Sequence, residues 1–169
     1  QTIDNPMTVD TDLVISGDGE LQINSALTLN AALTVKSTFN VAAEINGSGS
    51  ITGAEGGQVN LQQNGSIDVA LAAGTGNLSV QVNGTDFDTV VEQYGDLANT
   101  FEIMNAGTIS TADYENVSWT IWGAGSLDIQ GTIVVTGKFV VQNTVTVSGT
   151  LALAGDALID VNQGGDLTA

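Results

Sequence analysis

The chain has no cysteine, no histidine and no arginine, and it contains a single proline. Without cysteine there are no disulfides and no thiolate metal sites, and the redox compartment stays open. Without histidine the commonest general base is missing, and the strongest common nucleophile is missing with cysteine. Lys36 and Lys138 are the only basic side chains, against 19 acids, and the formal net charge is −17. A basic footprint for nucleic acid is therefore absent, and that partner is excluded. An anionic membrane surface would repel such a chain. Charged residues are only 12% of the total, so Ser, Thr, Asn and Gln must carry most solvent faces. Aromatics make up 5%, which leaves a core of small aliphatics. No stretch is long and apolar enough to span a bilayer. The start at Gln1, the scarcity of Lys and the many Thr, Asn and Gly lead us to expect an exported protein that has lost a signal peptide.

What is present is a beat of six residues. From Gly125 the sequence reads GSLDIQ GTIVVT GKFVVQ NTVTVS GTLALA GDALIDV. Leu127/Ile129, Ile133/Val135, Phe139/Val141, Val145/Val147 and Leu151/Leu153 form i, i+2 dyads, each starting six residues after the last. The same step occurs at Leu21/Ile23, Leu27/Leu29, Leu33/Val35 and Phe39/Val41. A dyad is a short strand with one buried face, and a fixed short step makes the strands equivalent sides of a wound coil. The 21 glycines supply corners, and near-absence of proline suits uninterrupted ladders. Three six-residue sides give a coil of about eighteen residues and, leaving out residues 84–122, roughly seven or eight coils. An antiparallel sandwich repeats at eight to twelve residues with uneven strands, so six strict steps argue against it. Two aliphatics per hexad, rather than one, favour right-handed winding. The expected fold is an all-β, single-stranded parallel β-helix, one domain over residues 1–169.

The phrases GSLDIQGTIVVTG and GTLALAGDALIDV resemble the repeats of exported right-handed β-helix proteins, the filamentous-haemagglutinin-type adhesins and autotransporter passenger domains. The resemblance covers residues 13–83 and 123–169. It implies an adhesin, a surface fibre or a scaffold at the cell surface. Cytoplasmic bactofilin filaments share the style but are richer in charge. Fold likeness alone assigns no function.

Within this frame, residues 1–20 form an opening segment suited to assembly. Residues 84–122 lose the beat and hold Phe87, Tyr94, Phe101, Tyr114, Trp119 and Trp122. They are expected to leave the coil as an irregular excursion, with a helical turn through Val90, Val91, Tyr94, Leu97 and Ala98, and to offer a lateral surface at Tyr114 and Trp122. Asp10, Asp12, Asp86 and Asp88 supply oxygen ligands of the kind Ca²⁺ takes. None of these sits in an EF-hand loop or a calcium-roll nonapeptide, and solvated acidic turns explain them equally. Asp86/Asp88 and Asp113/Glu115 are spaced for a glycosidase pair, but acidic turns account for both, and no enzyme is expected. Five sequons, at Asn46, Asn64, Asn77, Asn83 and Asn116, are glycosylation candidates; Asn-Gly turn chemistry explains them without modification. Thr144/Thr146 is the one Thr-x-Thr and is not repeated at coil spacing, so no ice-binding face is expected.

The two ends carry the functional expectation. An uncovered solenoid leaves open strand edges. Ile3, Met7 and Val9 lie in a strand-like segment at one end, and Asp166 and Leu167 lie in a cut repeat phrase at the other. These residues suggest head-to-tail contact, which propagates as a filament. The sequence therefore leads us to expect a secreted, non-enzymatic, self-assembling surface protein without a cofactor other than bridging Ca²⁺. The alternative is a monomeric adhesin or carbohydrate-binding piece of a larger surface protein.

Overall fold

The computed structural model describes residues 1–72, 76–83, 100–104, 107–109, 114–122, 126–142, 144–162 and 164–169; from 82 through 127, and at 136 and 137, it describes backbone alone. The chain forms two compact units, Gln1–Val80 and Gln81–Ala169. The first holds β1 (Thr2–Ile3), β2 (Met7–Val9), β3 (Leu13–Ile15), β4 (Glu20–Ile23), β5 (Leu27–Leu29), β6 (Ala32–Val35) and β7 (Thr38–Val41). It continues with β8 (Glu44–Asn46), β9 (Ser50–Gly53), β10 (Gln58–Leu61), β11 (Ser66–Ile67), β12 (Ala70–Ala72) and the start of β13 (Asn77–Asn83). The second holds β14 (Thr100–Met104), β15 (Gly107–Ile109), β16 (Tyr114–Trp122), β17 (Ser126–Ile129) and β18 (Thr132–Val141). It ends with β19 (Thr144–Val147), β20 (Thr150–Leu153), β21 (Leu158–Val161) and β22 (Asp166–Thr168). No helix occurs among the described residues, and the strands stack in parallel as a β-solenoid.

In the first unit three stacks run side by side: β1-β4-β7-β10-β13, β2-β5-β8-β11 and β3-β6-β9-β12. Dyads explain the winding. A three- or four-residue strand can bury one or two side chains, and only a copy of itself stacked above and below satisfies its backbone. The coil is not uniformly eighteen residues. Thr28 meets Asn46, 18 residues on, whereas Asn30 meets Asp10 at a separation of 20, and Glu44 pairs with Ser66. The corners absorb the difference. Ala54–Gly57 adds a turn in which Gly56 takes φ 79°, so the coil varies in length from level to level.

Ile23, Leu29, Val35, Phe39, Val41, Ile45 and Ile51 fill the first unit's interior and are essentially fully buried. Ile129, Ile133, Val135, Phe139, Val141 and Val145 do the same in the second. Each such side chain contributes about 1.5–3 kcal/mol of burial. Of the dyad leaders expected inside, Ile133, Phe139 and Val145 are buried, and Leu151, in the last coil, is half-buried. Leu127 pairs in register with Val145, but its side chain lies outside the description.

Corners stack as tightly as strands. A Cβ on Gly57 would run into the carbonyl oxygen of Val35 in the coil before it, and one on Gly65 would meet that of Val41. Gly57→Ala is therefore expected to cost more than about 1 kcal/mol, measured as a lower urea midpoint with unchanged slope. An unchanged midpoint would mean that the corner can shift.

The expected excursion needs correction where it is described. β14, β16 and β18 form one parallel stack, with Phe101, Trp119 and Phe139 as register partners. β15 lies on β17. These strands continue the coil rather than leaving it. β16 and β18 each run over two sides, and the register slips by one residue between Asn116 and Ser118, a bulge that lets a strand bend at the corner. The proposed helical turn and Asp86, Asp88, Asp113, Phe87 and Tyr94 lie outside the described residues.

Candidate functional site: the two open coil edges

One rule governs every coil-to-coil contact. The carbonyl of an inward-pointing residue accepts from an amide one coil later: Ile3 from Asn24 (2.9 Å), Val9 from Asn30 (2.9 Å), Ile15 from Lys36 (2.8 Å) and Ile23 from Ala42 (2.9 Å). The second unit follows it, Val135 accepting from Ala154 and Val141 from Asn162, both at 2.9 Å. In a parallel strand alternate residues turn both backbone groups to opposite sides. Inward residues thus bond forward and outward residues bond back.

The rule defines what the first and last coils leave open. In β1, β2 and β3 the outward residues Thr2, Thr8 and Val14 point N–H and C=O away from the coil. In β20, β21 and β22 the inward residues Leu151, Leu153, Ile159, Val161 and Leu167 do so. One edge offers the groups that normally bond back, and the other offers those that normally bond forward.

Apolar side chains are uncovered at the same places. The exposed large apolar side chains among the described residues are Leu13 (40%), Val14 (53%), Leu153 (48%), Leu158 (57%) and Val161 (48%), and every one belongs to the first or last coil. One coil further in, Leu33 is 2% exposed and Val35 is fully buried. A cleft of about 530 Å³ opens at the first coil beside Ile3, Leu13, Ile15, Glu20 and Leu21. Ile3, Met7, Val9 and Leu167 are half-buried, and Asp166 is exposed. Tyr114 and Trp122 lie in β16, where only backbone is described.

The acidic residues behave as ladder acceptors. The Asn24 amide donates to Asp4 (2.8 Å), the Asn30 amide to Asp10 (2.8 Å) and the Ala32 backbone N–H to Asp12 (3.0 Å). Asp10 and Asp12 lie in the corner between β2 and β3, and no group of three potential metal ligands occurs among the described residues. Asp160 pairs with Lys138 at 2.7 Å. Of the sequon residues, Asn46 is held by the Thr28 hydroxyl and by Glu44, while Asn64 and Asn77 are exposed. The side chains of Asn83 and Asn116 lie outside the description. Threonines do recur at coil spacing: Thr8 pairs with Thr28, Thr34 with Thr52 and Thr146 with Thr168. A strict six-residue count hides these pairs because real coils vary in length.

Asp128 shows what one such ladder does to acid stability. The Gln130 amide, then the Ser148 hydroxyl, donate to its carboxylate at 2.8 Å and hold its pKa below the ordinary 3.8. A depressed carboxylate contributes stability that is complete above the unfolded value and disappears as pH falls through the folded one. Asp128→Asn is therefore expected to lower stability slightly at neutral pH and to flatten the further loss below pH 3.8. Parallel acid titrations of both proteins would show this; identical curves would contradict it.

The described residues contain no helix long and apolar enough to cross a membrane. No family model, curated protein or solved structure matches the chain.

Proposed function

We propose that this protein is a non-enzymatic structural subunit that assembles head to tail into an extracellular filament or surface fibre. The observation that supports the reading most is the complementarity of the two open edges. The last coil presents forward-bonding groups, the first coil presents back-bonding groups, and both carry uncovered aliphatics. A second copy satisfies both at once by strand addition, in which main-chain bonds supply the contact and side chains need only stack. The contact is heterologous, so it propagates.

Charge sets the conditions. Copies of net charge −17 repel one another. The screening length falls from about 8 Å at physiological salt to about 3 Å at 1 M, so salt favours assembly. Ca²⁺ adds bridging between acidic edges and acts at lower ionic strength. The test is sedimentation velocity with negative-stain microscopy of the intact chain over a series of NaCl and CaCl₂ concentrations. Growing filaments are expected, and a stable monomer throughout would end this reading.

A second reading, a monomeric adhesin or carbohydrate-binding coil of a larger surface protein, draws support from the amides on the outer face of β4, β7 and β10, groups able to grip sugar hydroxyls. Those amides are already bonded to one another, Asn60 to Asn40 at 2.8 Å and Gln22 to Gln62 at 3.1 Å. That internal satisfaction ranks the adhesin second. Neither reading involves catalysis.

A further inference from the structure

A three-sided coil can follow another in three rotational settings, and the outward columns distinguish them. Val14, on β3, is apolar and 53% exposed. In the last coil β20 carries the outward pair Val134–Ala152, continued from β18, whereas β21 carries Leu158 and Asp160 and β22 carries Asp166 and Thr168. Only β20 offers Val14 an outward surface free of carboxylates; on β21 it would stand by Leu158 and Asp160, and on β22 by Asp166 or Thr168. The threonine columns point to the same answer. Thr146–Thr168 runs up to the edge at β22, and Thr8–Thr28 starts from the edge at β2. The third side is then fixed. β1, which stacks below Leu21 and Phe39, falls on β21, which stacks above Phe139, so both aromatic-bearing columns align.

Building on the head-to-tail reading, we propose that successive copies join in this one setting, with β3 on β20, β1 on β21 and β2 on β22. In register, Leu13 and Ile15 cover Leu151 and Leu153, Ile3 covers Val161, and Met7 covers Leu167. Val14 extends the Val134–Ala152 column, and Thr8 extends Thr146–Thr168. The setting gives the fibre a defined polarity, and it covers Leu13, Val14, Leu153 and Val161 with apolar partners from the other edge while leaving Leu158 outside the joint.

The absence of native cysteine makes the test direct. Facing residues on neighbouring strands lie about 4.8 Å apart, inside the Cα range of about 4.4–6.8 Å that a disulfide spans. Three double variants sample the three settings: Thr8→Cys with Thr168→Cys, with Asp160→Cys and with Ala152→Cys. Each is assembled under the salt condition that gives filaments, oxidised with diamide and run on a non-reducing denaturing gel. The Thr8/Thr168 pair is expected to give a covalent ladder of multimers, and the other two to remain monomeric. A ladder from either of the other pairs instead, or from none while microscopy shows filaments, overturns the setting and leaves head-to-tail assembly standing. If the parent chain forms no filaments under any condition, the assembly reading fails and the setting fails with it.

Discussion

Val141→Asp is expected to destroy the cooperative folding of the second unit. Val141 has no exposed surface, pairs with Val161 and Ile121, and accepts a backbone bond from Asn162. No positive charge lies on the coil interior among the described residues, so a carboxylate there would be buried unpaired or would have to protonate. Either outcome costs several kcal/mol, a large part of the roughly 5–15 kcal/mol that holds a domain together. For a unit of this size about 1 kcal/mol corresponds to roughly 4–8 °C in Tm, so a fall of about 20 °C or loss of the transition is expected by circular dichroism. A Tm within a few degrees of the parent would show that Val141 does not face the interior.

The second large effect separates folding from assembly with one residue type. Thr8→Pro is expected to abolish filament growth and leave the monomer fold intact. The Thr8 N–H points to the open edge, so removing it breaks no ladder bond, and proline is tolerated on edge strands. The next copy, however, would find a missing donor and a ring in its path. Thr28→Pro, one coil in on the same column, loses an amide directed back at β2 and should cost about 3 kcal/mol or more. The expected pattern is a monomeric, near-parental melt for Thr8→Pro and a clearly lowered melt for Thr28→Pro. Filaments of ordinary length from Thr8→Pro would exclude β2 from the joint, and equal melts would refute the inward/outward bonding rule.

The solenoid was legible because its evidence is local. Leu27/Leu29, Leu33/Val35 and Phe39/Val41 each state a strand and a buried face, and their even step states the winding. The continuation of the coil through the aromatic stretch does not show at a six-residue step. Phe101/Ile103, Trp119/Ile121 and Phe139/Val141 keep the dyad and repeat at the coil spacing instead, a signal present in the sequence but invisible at the shorter period. The same variable corners concealed the threonine columns at Thr8–Thr28 and Thr146–Thr168. Asp10 and Asp12, two residues apart in the corner between β2 and β3, accept from different neighbours, the Asn30 amide and the Ala32 N–H, a pairing that only the coil stacking reveals.

The sequence by itself determined the strand, the buried face, the aliphatic core and the acidic, ladder-forming surface. These depend on residue type and on neighbours within a few positions. Only the tertiary structure decided which outward residues share a column, which backbone groups remain open at Thr2, Thr8 and Val14, and that the exposed aliphatics fall in the first and last coils. Those facts depend on the number of residues spent at every corner. One residue more or fewer at a turn changes which residues stack, and little in the composition of the turn announces the count.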